Sequence, residues 1–393
     1  MIVALIGLVI SFWAYVIAFP HPHQRRFDIY LALLALHLAA AIAYWLMGFE
    51  SAMDAYMYYH DPLNFIARDP FQNGTYFIVH VEQRIKSILG GSFLDHFLFF
   101  QCFGMVGIAL IARTFNEIAD SLDLAVPLHV YALLFLPGLH FWSVAIGKDG
   151  PMIMAVALSI WAILRLEKRF FAMFVALLIM ALIRPHVAAF AVFGIVASVF
   201  FARQIGVLAK LLLGPIAIVG LTYAVFRAQE NLGVGTGVEA VSEFIEGQQE
   251  LGAEFGSGAN IQSLPYPMKV FTLLFRPLFI DAEGMMAQLA SIENVVLMYV
   301  FGYITYNWRI VIRLFRSVGL ITYCVTFSSV LIMMLAFVNY NLGLGQRQKM
   351  MAIPAVVMIY GAIFLYKRFL ANVALAVPDG PVEEPDYASV AKA

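Results

Sequence analysis

Charged residues are scarce in this sequence of 393 residues, since only 12% of them are Asp, Glu, Lys or Arg while 62% are hydrophobic. A soluble domain has about a quarter of its residues charged, and it could not hide so much apolar surface. The net charge of −1 gives no electrostatic footprint for nucleic acid. Cysteine is also rare: Cys102 and Cys324 both lie in apolar runs, which favours packing thiols over a disulfide or metal framework.

Long apolar runs take the place of the missing charge and predict an all-α integral membrane protein. A helix that crosses the hydrocarbon layer of about 30 Å needs about 20 apolar residues. About eleven runs approach or reach that length and are predicted as transmembrane helices; they lie near 2–19, 30–49, 93–112, 125–146, 151–165, 170–184, 187–202, 207–226, 285–305, 317–338 and 350–366. The first run has no basic residues before it and no small-x-small cleavage site, so we interpret it as an uncleaved helix.

The orientation of the helices follows from the basic residues of the short loops, which accumulate on the cytoplasmic side. With the N-terminus outside, every predicted inner loop holds Lys or Arg, as at Arg25-Arg26, Arg165 to Arg169, Arg309 to Arg316 and Lys367-Arg368. This topology puts the C-terminus inside and two large loops, 50–92 and 228–283, on the extracytoplasmic side. We expect one transmembrane domain over 1–370, followed by a disordered cytoplasmic tail over 371–393 that is acidic and contains proline.

Short helices are expected in the two outer loops. The stretch 233–258 is rich in Gly and acidic residues, and Val238, Val241 and Ile245 within it have helical spacing, which predicts a surface helix. The apolar segment 268–280 is too short to span the membrane and is interrupted by Pro277, which favours an interfacial or re-entrant position.

Four charged motifs occur at helix ends on the predicted outer side, which normally has few cations. They are Gly147-Lys148-Asp149-Gly150, Arg184-Pro185-His186, Phe275-Arg276-Pro277 and Gln346-Arg347-Gln348-Lys349. A charge near the membrane costs free energy, so several on one face indicate a function. Lys148, Arg184, Arg276, Arg347 and Lys349 would together suit a lipid-linked diphosphate. In the alternative interpretation each cation reaches lipid headgroups or pairs with a nearby acid such as Asp149 or Glu283.

The first outer loop opens with an acid among aromatic residues, Asp54 to Tyr59. A carboxylate at the membrane surface beside rings that can stack on sugars suits a general base that takes a proton from a hydroxyl. The alternative is a solvated acid in an interfacial aromatic belt. The histidines show no zinc spacing, and His186 is of interest because it follows Arg184 by two residues.

Four sequence blocks carry a resemblance to a known family. They are FWSVAIGKDGPMIMAVAL at 141–158, LIRPHVAAFAVF at 182–193, FRPLFIDAEGMMAQLASIEN at 275–294 and NYNLGLGQRQKMMAIPAVV at 339–357. In order and spacing they resemble the bacterial polysaccharide polymerase-like membrane proteins of exopolysaccharide and O-antigen synthesis. The loop with Asp54 and Tyr58 is also similar to that of lipid-dependent GT-C glycosyltransferases, although Ala55 follows Asp54, so that the paired-acid motif is absent.

The resemblance implies a multi-pass protein of the bacterial inner membrane that transfers glycan repeat units from undecaprenyl diphosphate to a growing glycan acceptor. Export or chain-length proteins of polysaccharide synthesis would be further partners. Glycosyl transfer needs a base for the acceptor hydroxyl and stabilisation of the departing diphosphate. We expect Asp54 to be the base, with Asp149 and His186 as alternatives, and the cations above, with Tyr58 and Glu283, to bind substrate. The cations can supply the needed charge, so neither a metal nor a cofactor is expected.

Two other functions fit the same composition. One is a flippase or transporter of lipid-linked sugars, although such proteins tend to place their charges near the bilayer midplane, often within inverted repeats, and no repeat is apparent here. The other is a non-catalytic scaffold of a polysaccharide synthesis complex, for which the loop 228–283 would be the docking surface.

Overall fold

The structure is a computed structural model that describes residues 1–50, 54–62, 74–201, 261–339 and 341–376, together with the isolated positions 222, 243, 247 and 250. Regular structure within these ranges is entirely helical. The predicted span 207–226, the predicted surface helix within 233–258 and the tail from 377 onward lie outside the described residues, apart from those isolated positions. The prediction of an all-helical fold is confirmed for the part of the chain that the structure describes.

The helices are named here in chain order. The first eight are α1 (Ile2–Ala18), α2 (Phe27–Glu50), α3 (Asp54–His60), α4 (Thr75–Leu89), α5 (Phe93–Ser121), α6 (Leu128–Ala132), α7 (Pro137–Phe141) and α8 (Asp149–Leu164). The others are α9 (Phe170–Ile183), α10 (Pro185–Phe201), α11 (Tyr266–Phe275), α12 (Gly284–Tyr306), α13 (Trp308–Ser317), α14 (Gly319–Val338), α15 (Leu342–Lys349) and α16 (Ile353–Ala376).

Five of these helices, α2, α5, α12, α14 and α16, are long and apolar enough to cross a membrane. Helices α1, α8, α9 and α10 are apolar but shorter. Helix α8, with 16 residues, is about 24 Å long at 1.5 Å per residue. The fold is therefore that of a helical membrane protein, and most of the predicted runs coincide with one helix each. Helix α16 continues to Ala376, beyond the predicted start of the tail at 371.

The predicted span 125–146 is wrong, because this segment does not form one helix. It contains α6, a 3₁₀ turn at Leu133–Phe135 and the five-residue α7, and an irregular backbone continues to Lys148. Pro137 explains the break, since a residue before proline is driven out of the helical region and Leu136 has ψ near 121°. Irregular backbone at membrane depth is tolerated where it is covered by protein, and Val144 and Ile146 are buried.

Helix α5 lies at the centre of the bundle and contacts α1, α2, α8 and α16. A second set of contacts continues from α8 through α9 and α10 to α14. The α1–α5 contact is close because Gly7 meets the backbone of Leu98 and Phe99, where a Cβ atom would clash. In the same interface Ser11 and Gln101 are fully buried and hydrogen-bonded to each other. This packing holds α8 and α9 in place, and both helices end at charged residues.

Candidate functional site

Helix breaks bring three charged residues to one end of the bundle. Lys148 is the last residue of the irregular segment before α8, and Asp149 begins that helix. Arg184 has a non-helical backbone between α9 and α10, because Pro185 starts α10 and disfavours helix at the preceding residue. Its guanidinium is therefore free to turn away from both helix axes and toward Asp149.

Asp149 lies between two arginines. Its Oδ1 accepts a hydrogen bond from Nη2 of Arg184 at 2.8 Å, and its Oδ2 accepts one from Nε of Arg347 in α15. Asp149 is only 4% exposed. Guanidinium groups from distant parts of the chain thus engage both carboxylate oxygens. These charge-assisted hydrogen bonds hold both arginine side chains in place.

Asp54 joins the same group from the solvent side. Nη1 of Arg347 donates to Oδ2 of Asp54 at 2.9 Å, so Arg347 bridges the two carboxylates. The Asp54 side chain is 48% exposed, in contrast to Asp149. We call Asp54, Lys148, Asp149, Arg184 and Arg347 the Asp149 cluster. Its three cations and two carboxylates have a net charge of +1.

Thr75 connects Lys148 and Tyr58 to the cluster. Nζ of Lys148 donates to Oγ1 of Thr75 at 3.0 Å, and Tyr58, which is buried, shares a hydrogen bond with the same hydroxyl. Thr75 begins α4 directly after Gly74, whose φ of 83° favours glycine. The Gly74 amide donates to the carbonyl of Leu182, two residues before Arg184, at 3.0 Å. The first predicted outer loop is thereby tied to the α9–α10 junction.

The charges of the cluster influence one another strongly. Asp149 raises the pKa of Arg347 above its ordinary value. Burial lowers the pKa of Lys148 to about 8, and the neighbouring Arg184 and Arg347 contribute in the same direction. Burial also raises the pKa of Tyr58 to about 12, so this phenol is neutral at ordinary pH. An anion brought to the cluster would therefore favour the protonated form of Lys148.

Arg184 has a donor that is not used. Its Nε is buried and has no hydrogen-bond partner among the described residues. A buried donor without a partner costs free energy. An acceptor atom of a ligand that hydrogen-bonded to this nitrogen would recover that cost. The side chain is otherwise held by Asp149.

Four further predicted site residues are not members of the Asp149 cluster. His186, in the first turn of α10, is partly exposed and lies close enough to Lys148 and Arg184 to interact electrostatically. Arg276 pairs with Asp281 at 2.5 Å, and Glu283 is exposed at the start of α12. Lys349 is fully buried, and its Nζ donates to the Leu274 carbonyl at 2.9 Å and to Oδ1 of Asn294 at 2.5 Å. These contacts attach Lys349 to α11 and α12.

The structure adds two residues that sequence reasoning missed. Thr75 is part of Asn73-Gly74-Thr75, a match to the glycosylation sequon that is too short to identify a functional site. Tyr44 of α2 is buried and lies within electrostatic range of Arg347 and Asp149. Its position in a long apolar run gave no signal. No group of three or more His, Cys, Asp or Glu side chains suited to a metal ion occurs in the described ranges.

Neither a family model, nor a curated protein, nor a solved structure matches this chain. The resemblance to polysaccharide polymerase-like proteins therefore stays a prediction.

Proposed function

We propose that this protein is a membrane glycosyltransferase of the polysaccharide polymerase type. It would transfer glycan repeat units from undecaprenyl diphosphate to an acceptor sugar at the extracytoplasmic face of the bacterial inner membrane. The observation that carries the proposal is the convergence of Lys148, Arg184 and Arg347 beside the half-exposed Asp54.

The three cations suit the diphosphate of the donor. Arginine offers paired donors to phosphate oxygens and lysine adds a compact charge. The unpaired Nε of Arg184 supplies a donor that is already in place. Because the cluster lies at the ends of the apolar helices α8, α9 and α10, a diphosphate could reach it while the attached lipid stays in the bilayer.

The two carboxylates of the cluster have different roles in the proposed reaction. The acceptor hydroxyl attacks the anomeric carbon, its proton passes to Asp54, and the bond from that carbon to the diphosphate oxygen breaks. The diphosphate leaves with the bonding electron pair, and Lys148, Arg184 and Arg347 stabilise its charge. Asp149 is buried with both oxygens in ion pairs, so we assign it the positioning of the arginines. His186 remains the alternative base.

Arg347 links binding of the diphosphate donor to deprotonation of the acceptor hydroxyl. In the free protein it donates to Asp54 at 2.9 Å. When a diphosphate takes up this guanidinium, Nη1 of Arg347 leaves Oδ2 of Asp54, and that oxygen becomes available to accept a hydrogen bond from the acceptor hydroxyl. Donor binding would thereby prepare Asp54 for the proton of the acceptor.

The test is chain growth by the purified full-length protein in liposomes that contain an undecaprenyl-diphosphate oligosaccharide, followed on gels and by mass spectrometry. We expect Asp54→Asn to lower the rate by about 10²-fold or more, as loss of a general base does. Asp61→Asn is the matched control, because Asp61 is exposed just beyond the same helix, and it should retain the wild-type rate.

A second pair of variants tests the cations. Arg184→Lys keeps the charge but loses the planar donor geometry, and should slow chain growth, whereas Arg316→Lys, at an exposed position of α13, should not. Unimpaired growth in both Asp54→Asn and Arg184→Lys would contradict the proposal. Movement of the lipid-linked sugar between leaflets without chain growth would instead favour a transporter.

A further inference from the structure

A second arginine cluster lies at the other end of the helix pair α8–α9. Helix α8 begins at Asp149 in the first cluster and ends next to Arg165, and α9 begins after Arg169 and ends next to Arg184. The 16 residues of α8 separate the two ends by about 24 Å. The second cluster is thus a distinct site on the opposite side of the bundle, where the sequence predicts the basic inner loops.

Glu117 of α5 organises this second cluster. Its Oε2 accepts from Nη2 of Arg169 at 2.6 Å, and its Oε1 accepts from Nε of Arg113 and from Nε1 of Trp161 at 3.1 Å. The Arg169 guanidinium also lies 3.9 Å from the centre of the Trp161 ring and donates to the Trp161 carbonyl at 2.8 Å. Both guanidinium groups are therefore held in fixed positions, as in the Asp149 cluster.

These side chains line a cavity of about 240 Å³, which we call the Glu117 pocket. Arg113, Arg165 and Arg169 contribute three positive charges to its wall, and Glu117 and Asp120 contribute two negative ones. The net charge is +1. Donors engage both Glu117 oxygens. A guanidinium carries five N–H donors, of which Arg113 and Arg169 each use one on Glu117, so the pocket presents more cationic than anionic surface to a ligand.

The surroundings of the pocket are apolar on the side of α9. Phe170 and Phe171 follow Arg169 directly and are 71% and 76% exposed. Large exposed apolar side chains on a protein with membrane-spanning helices are suited to contact lipid chains, whereas a site for a soluble ion would need no such neighbours. Basic pockets between helices at a membrane surface are known to suit anionic lipid head groups.

We propose that the Glu117 pocket binds the phosphate of an anionic phospholipid from the leaflet at this end of the helices. The arginines hold the phosphate oxygens, and the lipid chains lie against the exposed phenylalanines at the start of α9. This site is independent of the proposed glycosyl transfer, since it shares no side chain with the Asp149 cluster.

The experiment measures lipid retention by native mass spectrometry. Purified full-length protein in detergent is titrated with phosphatidylglycerol, with phosphatidylcholine as the zwitterionic comparison. Arg165→Gln should weaken phosphatidylglycerol binding about two- to fivefold, the range that partly exposed charge pairs contribute. Asp120→Asn should strengthen it by a similar factor, because it removes a negative charge from the wall. A folding defect would not produce this gain.

Two matched controls carry the same chemical changes outside the pocket. Arg316→Gln removes an exposed arginine of α13, and Asp123→Asn replaces an exposed acid shortly after α5. Neither should alter retention. Equal retention by all variants, or equal changes in the controls, would overturn the proposal.

The last arm separates a lipid head group from a free anion. Inorganic phosphate is added to the delipidated protein, and thermal unfolding is recorded. We expect millimolar phosphate to leave the unfolding temperature unchanged, because the ion lacks the lipid chains. Stabilisation by phosphate that Arg165→Gln abolishes, without retention of phosphatidylglycerol, would overturn the lipid as the ligand. Glycan transfer plays no part in either measurement, so failure here leaves the function proposed for the Asp149 cluster untouched.

Discussion

Arg169 and Arg184 stand at the two ends of α9, and each donates to a buried carboxylate on a different helix. Arg169 pairs with Glu117 of α5 at 2.6 Å, and Arg184 pairs with Asp149 of α8 at 2.8 Å. An apolar helix surrounded by lipid and other apolar helices has little to define its position along its own axis. The two ion pairs fix the position of α9 along its axis relative to α5 and α8.

Loss of the Asp149 carboxylate should destabilise the protein. Asp149→Asn leaves Arg184 buried without its counter-ion, and breaking a buried ion pair costs about 3–5 kcal/mol. The measurement is thermal unfolding of the purified protein in detergent. The control is Asp281→Asn, whose pair with Arg276 is partly exposed and should contribute only about 0–1 kcal/mol. Equal stability of both variants would contradict the assigned role of Asp149.

Binding of the lipid diphosphate should depend on pH through Lys148. The pKa of this group is lowered to about 8 in the free protein, and a bound anion raises it. The complex then holds more protons than the free protein above pH 8. Affinity should therefore be highest below about pH 8 and fall as the pH rises through that value.

Binding of undecaprenyl diphosphate to the reconstituted protein measures this dependence. Lys148→Arg keeps its charge at all these pH values and should flatten the profile between pH 7 and 9. A wild-type profile that is already flat would show that Lys148 takes no part in binding.

Thr75 should matter through the groups it positions. Thr75→Val removes the acceptor of Lys148 and the partner of Tyr58 at nearly constant volume. Each of the two hydrogen bonds lost corresponds to about a two- to tenfold effect, which we expect in KM for the lipid-linked donor more than in kcat. Thr75→Ser restores the hydroxyl and should behave like the wild type. A Thr75→Val variant with unchanged KM would remove Thr75 from the site.

The close contact of α1 with α5 predicts a difference between two glycines. Gly7→Ala places a Cβ atom against the backbone of Leu98 and should cost about 1–3 kcal/mol, as overpacking does. Gly302→Ala, at a position in α12 where an added Cβ atom meets no side chain of the described residues within 4 Å, should be neutral or slightly stabilising because alanine favours helix. Thermal unfolding of the two variants compares them directly.

The predicted orientation can be checked by cysteine labelling in intact cells. Cys102 and Cys324 are buried and should not react with an impermeant maleimide. Asp61→Cys, in the predicted outer loop, should be labelled from outside. Arg316→Cys, on the predicted inner side, should be labelled only after permeabilisation. If Arg316→Cys were labelled from outside and Asp61→Cys only after permeabilisation, the predicted orientation would be wrong.

Much of the Asp149 cluster could be anticipated from the sequence. Lys148, Asp149, Arg184 and Arg347 lie at helix ends on the predicted outer side, and several charges tolerated on that side indicate a shared role. Which of the predicted charged side chains contact one another could not be predicted, because these contacts join segments that are far apart in the sequence. Lys349 is only two residues from Arg347, yet its ammonium group turns to α11 and α12 instead.

The failure at 125–146 has a different origin. Hydropathy measures composition, and this segment is apolar whether or not it forms one helix. Pro137 was the available signal for a break. The break also depends on hydrogen bonds to neighbouring helices, such as the one that the Gly138 amide donates to Glu293 of α12. The local sequence around Pro137 does not indicate that Glu293 is the partner.

Helix α15 limits how much of the cluster has to rearrange when a ligand binds. Asn341 caps its first turn, Gln346 donates to the Arg276 carbonyl, and the buried Lys349 secures its last residue. The backbone that carries Arg347 is therefore fixed before any ligand arrives. An incoming anion meets a guanidinium already in position and spends little free energy on reorganisation, so that only the side chain of Arg347 has to exchange one acceptor for another.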